Sequence, residues 1–480
     1  MATEPGVNSR PSFGLTVLAV SLPMFMVGLD NLVVTNALTR IKQDLGASVQ
    51  GLQWVTNGYI LGFASLLLVA AGLGDRFGRR RVFLSGLVGF TVFSIGCALS
   101  SSSAALIAFR ALQGMSAAAV LPLSLTLLTV AVPAEKRAAA IALWAGVNSL
   151  AVGLAPLLGG AITTGIGWHW LFWVNVPVSV VAVLLVLRVL QESHGTASRL
   201  DLPGLLLGST GVLALIWGIV ESSEEGWTAG QVLAKFIAAA VLLGSFIAWE
   251  RKAPQPLLPL RIYRNRGFTL ANASSLTVFF GLFGSVFFLA QYLQVVRHHS
   301  PFVAGLWTLP WAMAPAMVAP FVGKLIPKVG AGRLIALGLV LSALGVGWSA
   351  LAVGPDTPDW HMIAPWLLAG VGTGLIFAPS TTVVVTSVQP QDIGKASGTN
   401  ATVREIGSAL GIAVATTVFA TYGDYLSPQS FTDGMVPGLW ICAAVLVGGA
   451  ALALGIPAPT PPKAAPASAP AGKPVVDARD

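Results

Sequence analysis

Four ionisable side chains lie more than about one helical turn inside long apolar runs: Asp30, Arg110, Arg404 and Glu405. Each costs about 2.5–3.5 kcal/mol at mid-membrane depth on insertion scales, so such groups face a cavity or an opposite charge. A carboxyl group held there can carry a proton or a cation, seldom both, and that is the chemistry of exchange. Arg110 and Arg404 do not deprotonate in a protein; their part is to set the field around a carboxylate or a water. Arg404 and Glu405 are neighbours in sequence, about 100° apart on a helix, and need not pair. The plainer readings are polar groups satisfied by adjacent helices for Asp30, a backbone anchor for Arg110 and a local ion pair for Glu405.

Other chemistries find no support. The five histidines, His169, His194, His298, His299 and His361, sit at loops or span ends without an HExxH pattern, paired cysteines or a nucleophile. His298 and His299 have no third ligand nearby for a metal site. Cys97 and Cys442 lie inside apolar runs and form no disulfide framework. No Gly-x4-Gly-Lys-Ser/Thr loop is present. The expectation is a protein that is not an enzyme and needs neither metal nor cofactor.

These residues must be positioned by membrane-spanning helices. Of 480 residues, 55% are hydrophobic and 10% charged, against about 25% charged in average soluble proteins. A helix needs about 20 mostly apolar residues to cross the hydrocarbon layer. That window predicts fourteen spans, near 14–37, 49–72, 82–100, 104–130, 138–162, 169–190, 202–220, 233–249, 268–292, 302–324, 334–353, 361–386, 397–420 and 437–456. The first, too long for a signal-peptide core, is expected to stay as an anchor. With both ends cytoplasmic, 21 of the 27 Lys and Arg fall on inside segments, four outside and two within spans. That bias fits the positive-inside rule, and it accounts for the +8 net charge without nucleic acid.

Two features recur at nearly constant offset. Leu73-Gly-Asp-Arg-Phe-Gly-Arg-Arg-Arg81 has a degenerate echo in Gly323-Lys-Leu-Ile-Pro-Lys-Val-Gly-Ala-Gly-Arg333, and Pro122 and Pro133 match Pro379 and Pro390. The echo lies eight spans after the first copy, so two helices are inserted between six-helix halves. The fold expected is all-α and polytopic: a bundle over 14–190, two inserted helices within 191–250, a basic cytoplasmic linker over 251–267 and a second bundle over 268–456. Residues 1–13 form a cytoplasmic N-terminus, and 457–480 a Pro/Ala-rich tail expected to be disordered. Repeated halves with a site between them are a transporter architecture. The repeat sets Glu405 opposite Asn148, each fifteen residues after its second proline, and both are expected at a central cavity. Mid-span Phe280 and Phe283 are candidates for a greasy wall of that cavity, where aromatic faces beside a carboxylate suit a lipophilic cation.

At these residues the chain resembles the major facilitator superfamily, specifically its fourteen-helix drug:proton antiporters. Ala71-Gly-Leu-Gly-Asp-Arg-Phe-Gly-Arg-Arg80 is similar to the family's motif A, with Ala71 in place of the usual first glycine. Leu106, Arg110, Gln113, Gly114, Ala117 and Ala118 resemble motif B. Pro156, Gly159 and Gly160 resemble the antiporter motif C, with Ala151 and Ala155 replacing glycines. Leu29-Asp-Asn-Leu-Val-Val-Thr-Asn-Ala-Leu38 resembles the D1 motif without its final proline. The resemblance implies a part in proton transfer for Arg110. Asp75, Arg76 and Arg79 would form a charge relay at the cytoplasmic face, able to latch the halves, with Gly78 permitting a tight turn. Pro156, Gly159 and Gly160 would bend or tighten span five.

The expectation is a proton-driven exporter of lipophilic, cationic compounds, working as a monomer in the cytoplasmic membrane among lipid, with Asp30, Arg110 and Glu405 coupling protons. Asp30, Glu405, Asn148, Phe280 and Phe283 would contact the substrate. The alternative is a dedicated exporter of one endogenous antibiotic, amino acid or lipid.

Overall fold

In lipid every backbone N–H and C=O must be satisfied within its own segment, so apolar runs of this length fold as helices. The computed structural model describes residues 12–47, 49–195 and 201–457. The expected N-terminal segment up to residue 11 and the tail from residue 458 lie outside the described residues. Fourteen helices among the described residues are long and apolar enough to cross a membrane. They are α1 (Phe13–Val33), α2 (Val49–Phe77), α3 (Arg79–Ala98), α4 (Ser103–Ala131), α5 (Arg137–Gly165), α6 (Trp170–Val189) and α7 (Leu202–Glu225). The rest are α8 (Gly230–Glu250), α9 (Arg266–Val295), α10 (Pro301–Val329), α11 (Ala331–Ala352), α12 (Ile363–Thr386), α13 (Ile393–Tyr422) and α14 (Pro428–Leu454).

Several helix starts are written in the local chemistry. Ser12, Ser102, Asp201, Asn265, Ser300 and Ser427 each accept a hydrogen bond from a backbone amide in the first turn they precede, as N-cap residues do. The start of α3 is capped from a distance. The Glu192 carboxylate, beyond α6, accepts from the amides of Arg80 at 2.9 Å and Arg81 at 3.1 Å. Helices also run further than the hydropathy window suggests. α2 continues to Phe77, so Asp75 and Arg76 sit in its last turn rather than in a loop, and α14 begins nine residues before the expected start, at Pro428.

An even number of crossings puts the first and last helix ends on one face, the face that also carries the α2–α3 turn and the basic segment before α9. Helices α1 to α6 pack among themselves, and α9 to α14 do likewise. The two groups meet along two seams, α5 against α10 and α2 against α13. Both seams are built on small residues. A Cβ on Gly153 of α5 would sit 2.8 Å from the Cα of Ala312, and one on Gly398 of α13 would sit 3.1 Å from the Cβ of Ala71. Larger side chains there would push the helices apart. The inserted pair packs outside the second seam: α7 lies against α2 and α13, and α8 lies against α7. Their outer end is tied by an ion pair between Glu221 and Lys235.

Candidate functional site: a cavity between the halves

The central cavity holds about 870 Å³ of empty space and takes walls from both halves. α1 contributes Asn31, α2 Tyr59, α5 Asn148, α9 Phe279 and Phe283, and α13 both Arg404 and Glu405. The repeat-derived pairing of Asn148 with Glu405 therefore places two polar side chains on one cavity, from opposite halves. Phe279 and Phe283, one turn apart, stack with centroids 5.7 Å apart, and Phe279 meets Phe377 at 5.4 Å. Phe280 was expected beside Phe283 but is absent from the cavity wall. One residue on from Phe279 it points about 100° away, and its backbone packs against Gly411 of α13.

Arg404 and Glu405 differ in environment. Arg404 donates through Nη2 to the Thr381 hydroxyl at 2.8 Å, and its guanidinium carbon lies 5.3 Å from the Phe279 ring centroid. Its Nε is buried without a partner. Glu405 lines the cavity without a hydrogen bond to another described residue, and the charge of neighbouring Arg404 acts on it. A half-buried carboxylate facing empty space beside aromatic rings is what a lipophilic cation needs.

Asp30 occupies a different place from the one expected. It is fully buried and does not line the cavity. Arg110 Nη1 donates to its Oδ2 at 2.6 Å, Asn175 Nδ2 donates to Oδ1 at 2.7 Å, and Gln113 Nε2 donates to Oδ1 at 3.3 Å. Arg110 in turn donates to Gln113 Oε1 at 2.8 Å and to the Val55 carbonyl at 3.3 Å. Its guanidinium carbon lies 4.2 Å from the centroid of Tyr59, whose ring is part of the cavity wall. The physical reason is complementarity: two opposite charges in low dielectric neutralise each other rather than face a void. Asn175 carried no signal in the sequence, being one polar residue near the start of a span; Gln113 did, through motif B.

At the end of α2 the motif A residues also separate. Asp75 and Arg79 form a buried ion pair, 2.8 Å from Arg79 Nη2 to Asp75 Oδ1, around Gly78 at φ +104°. A side chain at Gly78 would be strained in that backbone region. Arg76 is exposed and stands outside the pair, with its charge over the Phe77 ring. Asp75 faces the other half: a Cβ on Gly394, in the first turn of α13, would lie 3.2 Å from its Oδ1. The partial positive charge of that helix start holds a carboxylate well. In α5, Gly159 and Gly160 are buried and the helix continues through position 156, where the side chain of Pro156 lies outside the described residues.

Two repeated helical halves around a shared cavity, each with a charged group inside the membrane region, define a multi-pass membrane transporter rather than an enzyme. The Major Facilitator Superfamily model matches residues 20–412, and the chain belongs to that family. It is 38% identical over 410 residues to the multidrug resistance protein Stp of Mycobacterium tuberculosis, covering 85% of this chain and 76% of that one. It is 33% identical over 444 residues to a tetracenomycin C resistance and export protein of Streptomyces glaucescens, covering 90% and 82%. Its fold matches the crystal structure of the human organic anion transporter MFSD10 with a TM-score of 0.62 at 16% identity, over 91% of this chain and 100% of that one.

Proposed function

We propose that this protein exports lipophilic compounds, cationic ones above all, in exchange for protons, by alternating access around the central cavity. The observation that carries the reading is Glu405, a carboxylate set in an aromatic cavity wall without a hydrogen bond to another described residue. Asp30 and Arg110 form the proton-handling pair behind that wall, with Tyr59 as the link. A proton on Asp30 removes half of a buried ion pair, and the freed Arg110 charge then acts on Tyr59 and the α2 backbone it already touches. The export direction is supported by relatives named for resistance and export. The charge bias supports cytoplasmic ends and a place in the cytoplasmic membrane. The proton gradient is the energy source, worth about 1.4 kcal/mol per pH unit and 2.3 kcal/mol per charge per 100 mV. No cofactor is required, and one copy of the chain suffices, since both seams that enclose the cavity lie within it.

In this arrangement the halves are held together at the basic face, by Asp75 against α13 and by α5 against α10, so the protein is closed toward the cytoplasm. A second reading, a dedicated exporter of one metabolite, is favoured by the tetracenomycin relative and by Arg404 on the same wall, which suits an anionic or zwitterionic group. The test is purified protein in liposomes with an acid interior and an entrapped pH dye. Ethidium and tetraphenylphosphonium added outside should each release protons. If neither does and a neutral polyketide does, the second reading replaces the first.

A further inference from the structure

The inserted helix pair ends at the basic face in two carboxyl groups that take no part in the central cavity. Asp201 caps α7, and Glu250 closes α8, where it is 4% exposed. One oxygen of each is occupied. Asp201 Oδ1 accepts from the Gly204 amide at 3.0 Å and from Trp249 Nε1 at 2.7 Å, and Glu250 Oε2 accepts from the Leu258 amide at 3.1 Å. The other two oxygens, Asp201 Oδ2 and Glu250 Oε1, are buried with no donor among the described residues. Both face one point over the first turn of α7: a Cβ on Gly204 would lie 2.7 Å from Glu250 Oε1 and would overlap Asp201 Oδ2. Among the described residues, Lys395 of α13 is the cation whose field reaches Glu250, and its Nζ already donates to the Pro256 carbonyl at 2.6 Å. Arg251 and Lys252, next along the chain, are exposed.

Two carboxylates that crowd one buried point do not both stay ionised. A proton on either removes the repulsion, and it needs no void, since it rides on an oxygen already there. We propose that Asp201 and Glu250 hold one proton between them and form a proton site at the cytoplasmic face, whose occupancy fastens the linker across the α2–α13 seam. Beside Glu250 the linker touches both halves. Leu257 packs on α2, where a Cβ at Gly72 would lie 2.5 Å from its Cδ1; Lys395 of α13 holds Pro256; and Arg261 pairs at 2.8 Å with Asp392, just before α13. The bond from Leu258 to Glu250 ties this stretch to the inserted pair. With the proton gone, two charges share a site that offers their inner oxygens no donor. Relief comes from admitting water, which draws Glu250 away from Leu258 and loosens the linker. The two groups titrate as one unit, so the fastening is present at low pH and is lost as the pH rises. No substrate and no coupled proton enters this device, so it stands apart from the export reaction.

The experiment uses full-length protein in lipid nanodiscs, spin-labelled on cysteines at positions 254, in the linker, and 391, before α13. Both positions are exposed, and the native Cys97 and Cys442 are buried. Distances are measured by pulsed electron resonance at about pH 6 and about pH 9, with Glu250→Gln and Asp201→Asn beside the unaltered pair. Each amide offers an N–H to the remaining carboxyl group and has no proton to lose. The unaltered pair should show a longer distance whose population grows at least about threefold at the higher pH. Both variants should keep the shorter distance at either pH. A distribution that does not move with pH when the pair is unaltered overturns the proposal, as does a pH response that survives in either variant. Each variant is read by itself, so if one fails to fold the other decides.

Discussion

Asp30 and Arg110, eighty residues apart in the chain, meet at 2.6 Å with neither side chain exposed. Asn175 and Gln113 complete the shell around the carboxylate, so the pair is both neutralised and hydrogen-bonded. Breaking a buried pair by removing one partner costs about 3–5 kcal/mol, because the other charge stays buried and uncompensated. Arg110→Ala should therefore lower the thermal unfolding midpoint sharply and reduce the yield of folded protein. Arg110→Lys should recover only part of the loss, since an ammonium cannot reach Asp30, Gln113 and the Val55 carbonyl with a planar fork. An unfolding midpoint unchanged in Arg110→Ala would remove the pair from the account of stability.

Glu405 offers the opposite case. Without a hydrogen bond of its own, its charge is a cost of burial that Arg404 offsets only in part, so Glu405→Gln should leave the unfolding midpoint unchanged or raise it. Its charge nonetheless acts on whatever occupies the cavity. At an effective dielectric constant of 20, two unit charges 4 Å apart attract by about 4 kcal/mol before desolvation. Ethidium affinity, measured by fluorescence titration, should fall at least tenfold in this variant. A neutral ligand of similar size should bind as before.

Phenylalanines 280 and 283 separate packing from recognition. Phe283 lines the cavity, whereas Phe280 is buried away from it, with its backbone against Gly411 of α13. Phe283→Ala should weaken binding of aromatic cations with little change in the unfolding midpoint. Phe280→Ala should do the reverse, with the loss typical of a large-to-small core change, about 3–5 kcal/mol. Titration and thermal unfolding on the same preparations would show it. Both variants behaving alike would mean that the wall of the cavity is drawn wrongly.

How much of this was legible in the sequence depends on what each residue needed. Fourteen helices were visible because lipid imposes a length and an apolar composition on every span. Asn148 and Glu405 came together because the repeat carries register, and register fixes which face of a helix meets the cavity. Asp30 could be picked out as a charge inside the membrane region, but not its place behind Tyr59, since pairing with Arg110 depends on how α1 and α4 are set against each other. Glu192 gave no signal: a loop carboxylate becomes the cap of α3 only after α6 returns the chain to that face. Phe280 and Phe283 looked alike because hydropathy does not report the direction of a side chain, and only the phase of α9 tells them apart.

Asp75 holds a carboxylate at the first turn of α13 while paired with Arg79 in its own half. Asp75→Asn preserves the shape and removes the charge that the helix start attracts, worth about 0.3–1 kcal/mol where exposed and up to about 2 where buried. The halves should then part more often at this face. Spin labels on cysteines at positions 77 and 391, both exposed, should show a longer distance gaining population. An unchanged distance distribution would leave Asp75 a structural residue of the α2–α3 turn.

The central claim is that Asp30 carries the coupled proton although it does not touch the substrate. Asn at this position imitates the protonated carboxyl and keeps an oxygen for Arg110, so Asp30→Asn should lose stability, as any loss of the pair does, while keeping more folded protein than Arg110→Ala. In proteoliposomes with equal amounts of wild-type and variant protein, ethidium uptake driven by an acid interior would be measured beside ethidium exchange at equal pH. The account requires that Asp30→Asn lose gradient-driven uptake at least tenfold and keep exchange within a factor of two to three. Gradient-driven uptake equal to wild type would contradict it, and would move proton coupling to Glu405.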